Sequence, residues 1–299
     1  MQPYNSRSQP KPIRASETVE KAISLIESRF DFKPSSNEQP IFILAAGWRC
    51  GSTLLQRLVN SNGEALIWGE PFANCNIVQT QAESLRSFTH NYPQDAWLLA
   101  NQNSEKPLHQ QETANLYPDV ANLIEGYRAL LETTYKHPAI ERNYHRWGFK
   151  EVRLTSVHGL YLKWLYPQAK ILLLYRNPYQ AFRSLYPHLG KWNLYFKWKD
   201  KEVTKAQDYG RCWYALVKGY IEDAEKLDAL LMSYEQLTSD SKIMSKISSY
   251  LGISLKKDAI HNKIGSSQDK DTVPNKEIRK LETIVGSLAS SLGYYPQYD

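Results

Sequence analysis

Residues 41–58 constrain this chain more than any other stretch. The apolar run Ile41-Phe42-Ile43-Leu44-Ala45-Ala46 leads directly into Gly47-Trp48-Arg49-Cys50-Gly51-Ser52-Thr53, and a helical pattern follows. An apolar run without alternation is the signature of a strand buried on both faces, the usual state in a parallel sheet covered by helices. Similar short runs lie at 65–68, 147–149, 170–175 and 229–233. Helical patterns stand between or beyond them, at 53–60, 120–135, 157–165, 179–186 and 209–227. Strands alternating with helices predict an α/β fold: a three-layer, P-loop-like arrangement with a central parallel sheet flanked by helices.

The rest of the chain is arranged around that core. Residues 1–15 are polar and proline-bearing and are expected to be a disordered tail. An amphipathic pattern with Val19, Ile23, Leu25 and Ile26 on its apolar face then predicts a helix ending before Lys33-Pro34. The stretch 79–146 is longer than one crossover needs, so a helical insertion on the acceptor side of a single domain over 16–299 is expected. A last helix at about 276–292 should stop at Gly293.

Composition narrows the chemistry. Of 299 residues 42% are hydrophobic, enough for a full core, yet no run approaches the roughly 18 apolar residues that span a bilayer. The first residues lack the apolar centre of a signal peptide, so a soluble, cytoplasmic protein is expected. The 3 cysteines, Cys50, Cys75 and Cys212, form no CxxC pair or framework, and the 7 histidines are scattered, so no metal is expected. A net charge of +6 suits a polyanionic ligand, while the absence of a dense Lys/Arg run argues against nucleic acid.

In an open α/β sheet, ligands bind beyond the carboxyl ends of the strands. The groups there are the 47–53 loop after the first strand, Gly69-Glu70-Pro71 after the second and Lys150-Glu151 at the third. Arg176-Asn177-Pro178 follows the fourth and Tyr234-Glu235 the fifth. The loop is the strongest of these. Its glycines allow a tight turn, a helix begins near Ser52, Arg49 brings charge, and Ser52 and Thr53 bring hydroxyls: a cradle for a phosphate-like anion. An ordinary strand-to-helix turn with a Ser or Thr N-cap is the plainer alternative. The nucleotide triphosphatase pattern Gly-x-x-x-x-Gly-Lys-Ser/Thr is not met. Ser52 follows Gly51 directly, and the cation precedes it as Arg49, which points away from ATP or GTP hydrolysis.

Here the sequence resembles the sulfotransferases that use 3′-phosphoadenosine-5′-phosphosulfate (PAPS). Arg49-Cys50-Gly51-Ser52-Thr53 is similar to that family's 5′-phosphosulfate loop. Arg176-Asn177-Pro178 with Ser184 is similar to its 3′-phosphate site. Tyr234-Glu235-Gln236-Leu237, then a helix ending Tyr250-Leu251-Gly252, follows in the family's order. Each match is short; their ordered co-occurrence over 41–252 carries the resemblance. It is closer to the branch of carbohydrate, tyrosylprotein and many bacterial sulfotransferases. That branch places a catalytic glutamate where Glu70 stands, and the cytosolic branch's histidine motif and C-terminal Arg-Lys-Gly loop are missing.

The resemblance implies transfer of a sulfuryl group from PAPS to a hydroxyl or amine, leaving 3′-phosphoadenosine-5′-phosphate (PAP), with Glu70 as general base. Arg49 would meet the 5′-phosphosulfate, with Cys50, Gly51, Ser52, Thr53 and Leu54 completing the cradle; Cys50 offers backbone N–H and is not read as a nucleophile. Arg176 and Ser184 would bind the 3′-phosphate. Tyr234 would contact the adenine or be a core tyrosine. Lys150 would meet the sulfonate or pair with Glu151. The 192–199 segment mixes aromatic and basic residues and is read as a helix with its aromatics inward, the alternative being an acceptor surface. The 262–267 segment has no assigned role. The acceptor is a hydroxylated small molecule, carbohydrate, lipid or peptide. A nucleotide-dependent kinase and a non-catalytic nucleotide-binding protein are the rival readings, and the oligomeric state is open.

Overall fold

The computed structural model describes residues 18–111, 115–189, 196–199, 201–256 and 273–298. The expected apolar runs are strands β1 (Ile41–Ala45), β2 (Ala65–Trp68), β3 (Arg146–Glu151), β4 (Lys170–Tyr175) and, after a small hairpin, β7 (Leu230–Ser233). They form one 5-stranded sheet in the order β2-β3-β1-β4-β7, with every pairing parallel. β1 is central and wholly buried, as its unbroken apolar run requires. At Gly148 of β3 the strands meet most closely: a Cβ there would lie 1.7 Å from the Ile41 carbonyl oxygen, so only glycine fits the register.

Side chains alternating across the strands feed two cores. Phe42, Leu44, Phe149, Ile171 and Leu173 face one; Ile41, Ile43, Ala45, Leu172, Leu174 and Met232 face the other. The first is covered by helices α1 (Val19–Phe30), α6 (Ser156–Leu165), α8 (Ala206–Asp223) and α11 (Asn275–Ser291). The second lies under α2 (Ser52–Val59) and α10 (Ser241–Leu251). Chain order reverses around β1: the path runs out to β2, returns through β3 and then crosses to β4. The loop after β1 therefore opens at the switch point, where an α/β sheet leaves a crevice.

The insertion departs from the expected helical block. It is helical at its ends, in α3 (Ile77–Ser84) and in α4 (Val120–Leu131), which runs through a π turn (Glu132–Lys136) into α5 (His137–Ile140). Between them, 85–111 holds only short 3₁₀ turns. Pro93, Pro107 and a run of Asn, Gln and Asp remove helical hydrogen bonds or compete for them. The π turn lies just before Pro138, whose missing N–H disrupts the α-helical ladder there. After β7 the chain forms α9 (Tyr234–Ser239) before α10; Asp240 caps the second helix and separates the two.

The 192–199 segment is corrected where it is described. Lys197–Trp198 (β5) pairs antiparallel with Lys201–Glu202 (β6), so this end is a hairpin rather than a helix. Lys199 at φ 48° makes the turn, a conformation that a helix does not admit. Residues 1–15 and 262–267, with their expected tail and unassigned role, lie outside the described residues. No described helix is long and apolar enough to cross a membrane.

Candidate active site

The loop after β1 is pinned from both sides. Ala46 N–H donates to the Leu174 carbonyl of β4 at 2.8 Å, and Gly47 N–H to the Val152 carbonyl beyond β3 at 3.0 Å. It then turns through Gly47, Arg49 and Gly51 with φ of 82°, 63° and 92°. Arg49 is the non-glycine residue held in this left-handed region, a strain that concentrates at functional loops. Gly51 is required twice over: by its φ, and because a Cβ would fall 2.2 Å from the Tyr234 ring.

Gly51 is also the N-cap of α2, and Ser52 is its first residue. The Ser or Thr cap considered from sequence is therefore absent, and no side chain of the cap residue covers the positive end of the helix. Ser52 is buried and Thr53 exposed. The Leu54 N–H donates to the Gly51 carbonyl at 3.0 Å, closing the first turn. The Cys50 thiol is buried, donates to the Gly47 carbonyl at 2.9 Å, and is pushed up to about 11 by burial. A thiol so held is inert as a nucleophile near neutral pH and braces the loop from below.

Four of the residues assigned to the anion come together. Arg49 Nε donates to Ser184 Oγ at 2.9 Å, and Arg176 Nη1 donates to the Arg49 carbonyl at 2.9 Å. The Arg176 guanidinium lies over the Tyr234 ring, 4.3 Å from its centroid, and that ring packs on Gly51. Tyr234 is half-buried beneath the arginine. Among the described residues neither arginine meets a carboxylate. The Arg176 Nε is buried and has no hydrogen-bond partner there.

The frame behind this cluster explains the other motif residues. Asn177 caps α7 (Pro178–Leu185) by accepting from the Tyr179 and Gln180 N–H groups, with Pro178 in the first turn. Its own N–H donates to Glu235 at 3.2 Å, and the Tyr294 hydroxyl donates to the same carboxylate at 2.8 Å. The Trp213 indole N–H donates to the Arg176 carbonyl at 2.9 Å. Glu235 and Trp213 thus hold the strand end. Ser184 falls about two turns along α7, which returns its hydroxyl to Arg49.

A second group stands at the ends of β2 and β3. Lys150 Nζ lies 3.0 Å from Glu70 Oε1, with their side chains 12% and 25% exposed. The expected alternative, Lys150 with Glu151, is not formed. Adjacent strand residues point to opposite faces, and Lys150 turns towards the end of β2. Glu151 instead pairs with Arg153 at 2.8 Å, both nearly buried. Arg153 also donates to the Ala73 carbonyl and to Asn76 Oδ1, which ties down the loop that leaves Glu70. That loop is bent through Phe72, Ala73 and Asn76 at φ of 46°, 32° and 49°. Beside it opens a cavity of about 920 Å³.

Arg153 and His158, which line this cavity, were missed from sequence. Arg153 sits just past the strand end among other polar residues, and only its burial against Glu151 distinguishes it. The signal for His158 was a Thr155-to-His158 spacing at a helix start, one that resembles a capping box with histidine in the usual place of glutamate.

Several comparisons bear on this arrangement. No curated protein matches the chain. A sulfotransferase domain from the curacin biosynthetic pathway superposes with a TM-score of 0.50 at 13% identity, covering 88% of this chain and 100% of that one. The sulfotransferase domain of the Synechococcus PCC 7002 olefin synthase gives a TM-score of 0.45 at 17% identity, over 89% of this chain and 99% of that one. Mouse sulfotransferase SULT7A1, complexed with PAP, gives 0.44 at 12% identity, over 97% of this chain and 99% of that one. The curacin domain shares the fold. The decisive match is to a family model described as "Sulfotransferase family", which spans residues 40–257 and so takes in the sheet, the loop and both polar groups at its edge. The chain belongs to the sulfotransferase family.

Proposed function

We propose that this sulfotransferase uses PAPS as donor and transfers its sulfuryl group directly to an acceptor hydroxyl or amine, with Glu70 as general base. The observation that carries the reading is the convergence of Arg49, Arg176 and Ser184 on one corner with no carboxylate among the described residues. Two arginines without a carboxylate partner, and a buried Nε without an acceptor, cost free energy. Phosphate oxygens satisfy both needs, because an arginine fork matches them geometrically.

In this reading Arg176 and Ser184 hold the 3′-phosphate. Arg49, the N–H groups of the 50–54 loop, the Ser52 and Thr53 hydroxyls and the positive end of α2 hold the 5′-phosphosulfate. Tyr234 stacks beneath Arg176 and beside the nucleotide. Glu70 accepts the acceptor's proton as the acceptor oxygen bonds to sulfur. The sulfur–oxygen bond to the 5′-phosphate breaks with its electron pair on the phosphate oxygen, where Arg49 offsets the charge. Lys150, bonded to Glu70, holds that carboxylate in place and meets the sulfonate in this reading. The acceptor enters from the side of the 79–146 insertion.

Calorimetry with PAP, AMP and ATP with Mg²⁺ tests the donor site. PAP is expected to bind at least about 30-fold more tightly than AMP. Arg176→Ala should weaken PAP by about 10- to 100-fold, the worth of charge-assisted hydrogen bonds, and leave AMP nearly unchanged. Preference for ATP with Mg²⁺ over PAP would overturn the assignment in favour of a kinase, and no nucleotide binding would favour a non-catalytic protein.

A further inference from the structure

The cavity of about 920 Å³ beside the β3 end differs in kind from a second, smaller hollow in the molecule. Its walls carry amides, hydroxyls and charges: Asn76, Thr80, Glu83, Arg153, Thr155 and His158, with the Trp198 ring to one side. The smaller cavity, about 290 Å³, lies across Ser84, which lines both, and is walled by Phe88, Leu98, Val120 and Leu123. The larger one is walled in part by Asn74 and Asn76 of the loop that leaves Glu70, and by Arg153, which donates to the Ala73 carbonyl of that loop and to Glu151.

His158 is the wall residue whose chemistry the structure fixes. Its Nδ1 accepts the Thr155 N–H at 3.0 Å and lies 2.9 Å from Thr155 Oγ1. A ring nitrogen that accepts an N–H carries no proton, so in this ring the proton is on Nε2. Burial, which holds the ring down to about 4, agrees with a neutral imidazole. Nε2 is on the opposite edge from Thr155 and has no hydrogen-bond partner among the described residues. Two of the charged wall residues are held by acidic or basic partners, Arg153 by Glu151 at 2.8 Å and Glu83 by Arg86 at 2.8 Å, while Lys197 and Lys199 bring two further cations to the wall, the Lys199 ammonium lying over the Trp198 ring. A ligand here meets a set of neutral donors and acceptors, two lysines and an aromatic face.

We infer that this cavity is the acceptor site, that it takes a hydroxyl-rich, sugar-like acceptor, and that His158 Nε2–H donates to one of the acceptor's oxygens. The inference rests on the sulfuryl-transfer reading. Many small polar groups lining a wide cavity reward a ligand with many hydroxyls, whereas an apolar acceptor would strip them of water without replacing their hydrogen bonds. His158 here is a specificity-determining residue, distinct from the base.

The test uses the full chain, labelled PAPS and two sets of probes: methyl glycosides, and 2-naphthol with a sterol. Transfer to glycosides is expected to exceed transfer to either apolar probe. Two variants separate the donor role from a capping role. His158→Gln and His158→Glu both place a carbonyl-type oxygen where it can accept the Thr155 N–H, as in an ordinary capping box. The glutamine alone also supplies an N–H donor. His158→Gln should hold the glycoside KM within about 3-fold, and His158→Glu should raise it about 10-fold or more, with PAP affinity and Tm unchanged in both. Equal glycoside KM values for the two variants overturn the donor role. PAP binding with no transfer to glycosides, or with preference for 2-naphthol or the sterol, overturns the acceptor class alone. Absence of PAP binding removes the donor reading and this inference with it.

Discussion

The two halves of the sheet edge treat charge in opposite ways. At the ends of β1 and β4, Arg49 and Arg176 are bonded to a hydroxyl, a carbonyl and a ring face, and among the described residues no acid neutralises them. At the ends of β2 and β3 each cation has its own carboxylate: Lys150 has Glu70 at 3.0 Å, and Arg153 has Glu151 at 2.8 Å. An edge that keeps its positive charge unpaired is built to receive an anion. An edge that cancels its charges internally can order a loop and a base without attracting one. On the proposed reading the same strand-end geometry yields a donor side and an acceptor side, and a sulfuryl group would move across the line between them.

If that division is right, Glu70→Gln should damage one side only. Loss of a positioned general base is expected to lower kcat by about 10²- to 10⁴-fold. PAP affinity should stay within about 3-fold, because the substituted amide oxygen can still accept from Lys150 and the donor residues are untouched. Steady-state kinetics and calorimetry on the same preparation check both halves. Near-normal turnover in a folded, PAP-binding variant removes Glu70 from the base role. A matching fall in PAP affinity would mean that the two sides are not separate.

Gly51→Ala attacks the other side. The new Cβ would sit 2.2 Å from the Tyr234 ring at a φ of 92°. Left-handed backbone costs about 1–2 kcal/mol for alanine, and displacing a packed ring about 1–3 more. PAP affinity should fall by about 100-fold, with a lower Tm. Adding Tyr234→Ala should relieve the contact but not the backbone strain, so only part of the stability should return. Full recovery in the double variant would show that the left-handed conformation is not essential to the loop.

How much of this was legible in the sequence follows the same line. The donor side is assembled from strand ends, each carrying a short local pattern: glycines around Arg49, a proline after Asn177, and Ser184 at helical spacing. Each could be read where it stood, and the parallel sheet brought them together. The acceptor side is assembled from pairings that no local pattern records. Lys150 was read as meeting the sulfonate or pairing with Glu151; the ion pair it makes is with Glu70, because strand alternation and the β2–β3 pairing decide it. Residues 85–111 looked like part of a helical insertion, yet their prolines and amides leave them as turns. The strands were the easiest elements to read, since an unbroken apolar run has few other places to go. The burial of Arg153 and the orientation of His158 depend on contacts between distant parts of the chain.

A pH series sharpens the acceptor side further. The half-buried His158 ring is held down to about 4 by its desolvation, below its ordinary 6.5. Between those values the unfolded ring binds a proton and the folded one does not, so stability is fully present above about pH 6.5 and declines as pH falls towards 4. From pH 7 to pH 5 this amounts to about 2 kcal/mol for one such group. Urea unfolding of the wild type and of His158→Gln at both pH values isolates it: the variant should lose about 2 kcal/mol less. Parallel losses would mean that the ring is as easily protonated in the folded protein as in the unfolded one.

The smallest effect is expected at Cys50, although it lies in the middle of the donor loop. Its thiol is buried, bonded to the Gly47 carbonyl, and pushed up to about 11, so almost none is thiolate at neutral pH. Direct transfer needs no covalent sulfo-enzyme, and the residue serves the loop through its backbone and its packing. Cys50→Ala should keep kcat and PAP affinity within about 3-fold and lower Tm by a few degrees, the cost of a small buried gap. Turnover measured beside calorimetry decides the point. A loss of several hundred-fold in kcat with PAP binding intact would put a nucleophile on the donor side. The division of labour would then have to be redrawn, because the loop would take part in bond making as well as holding the anion.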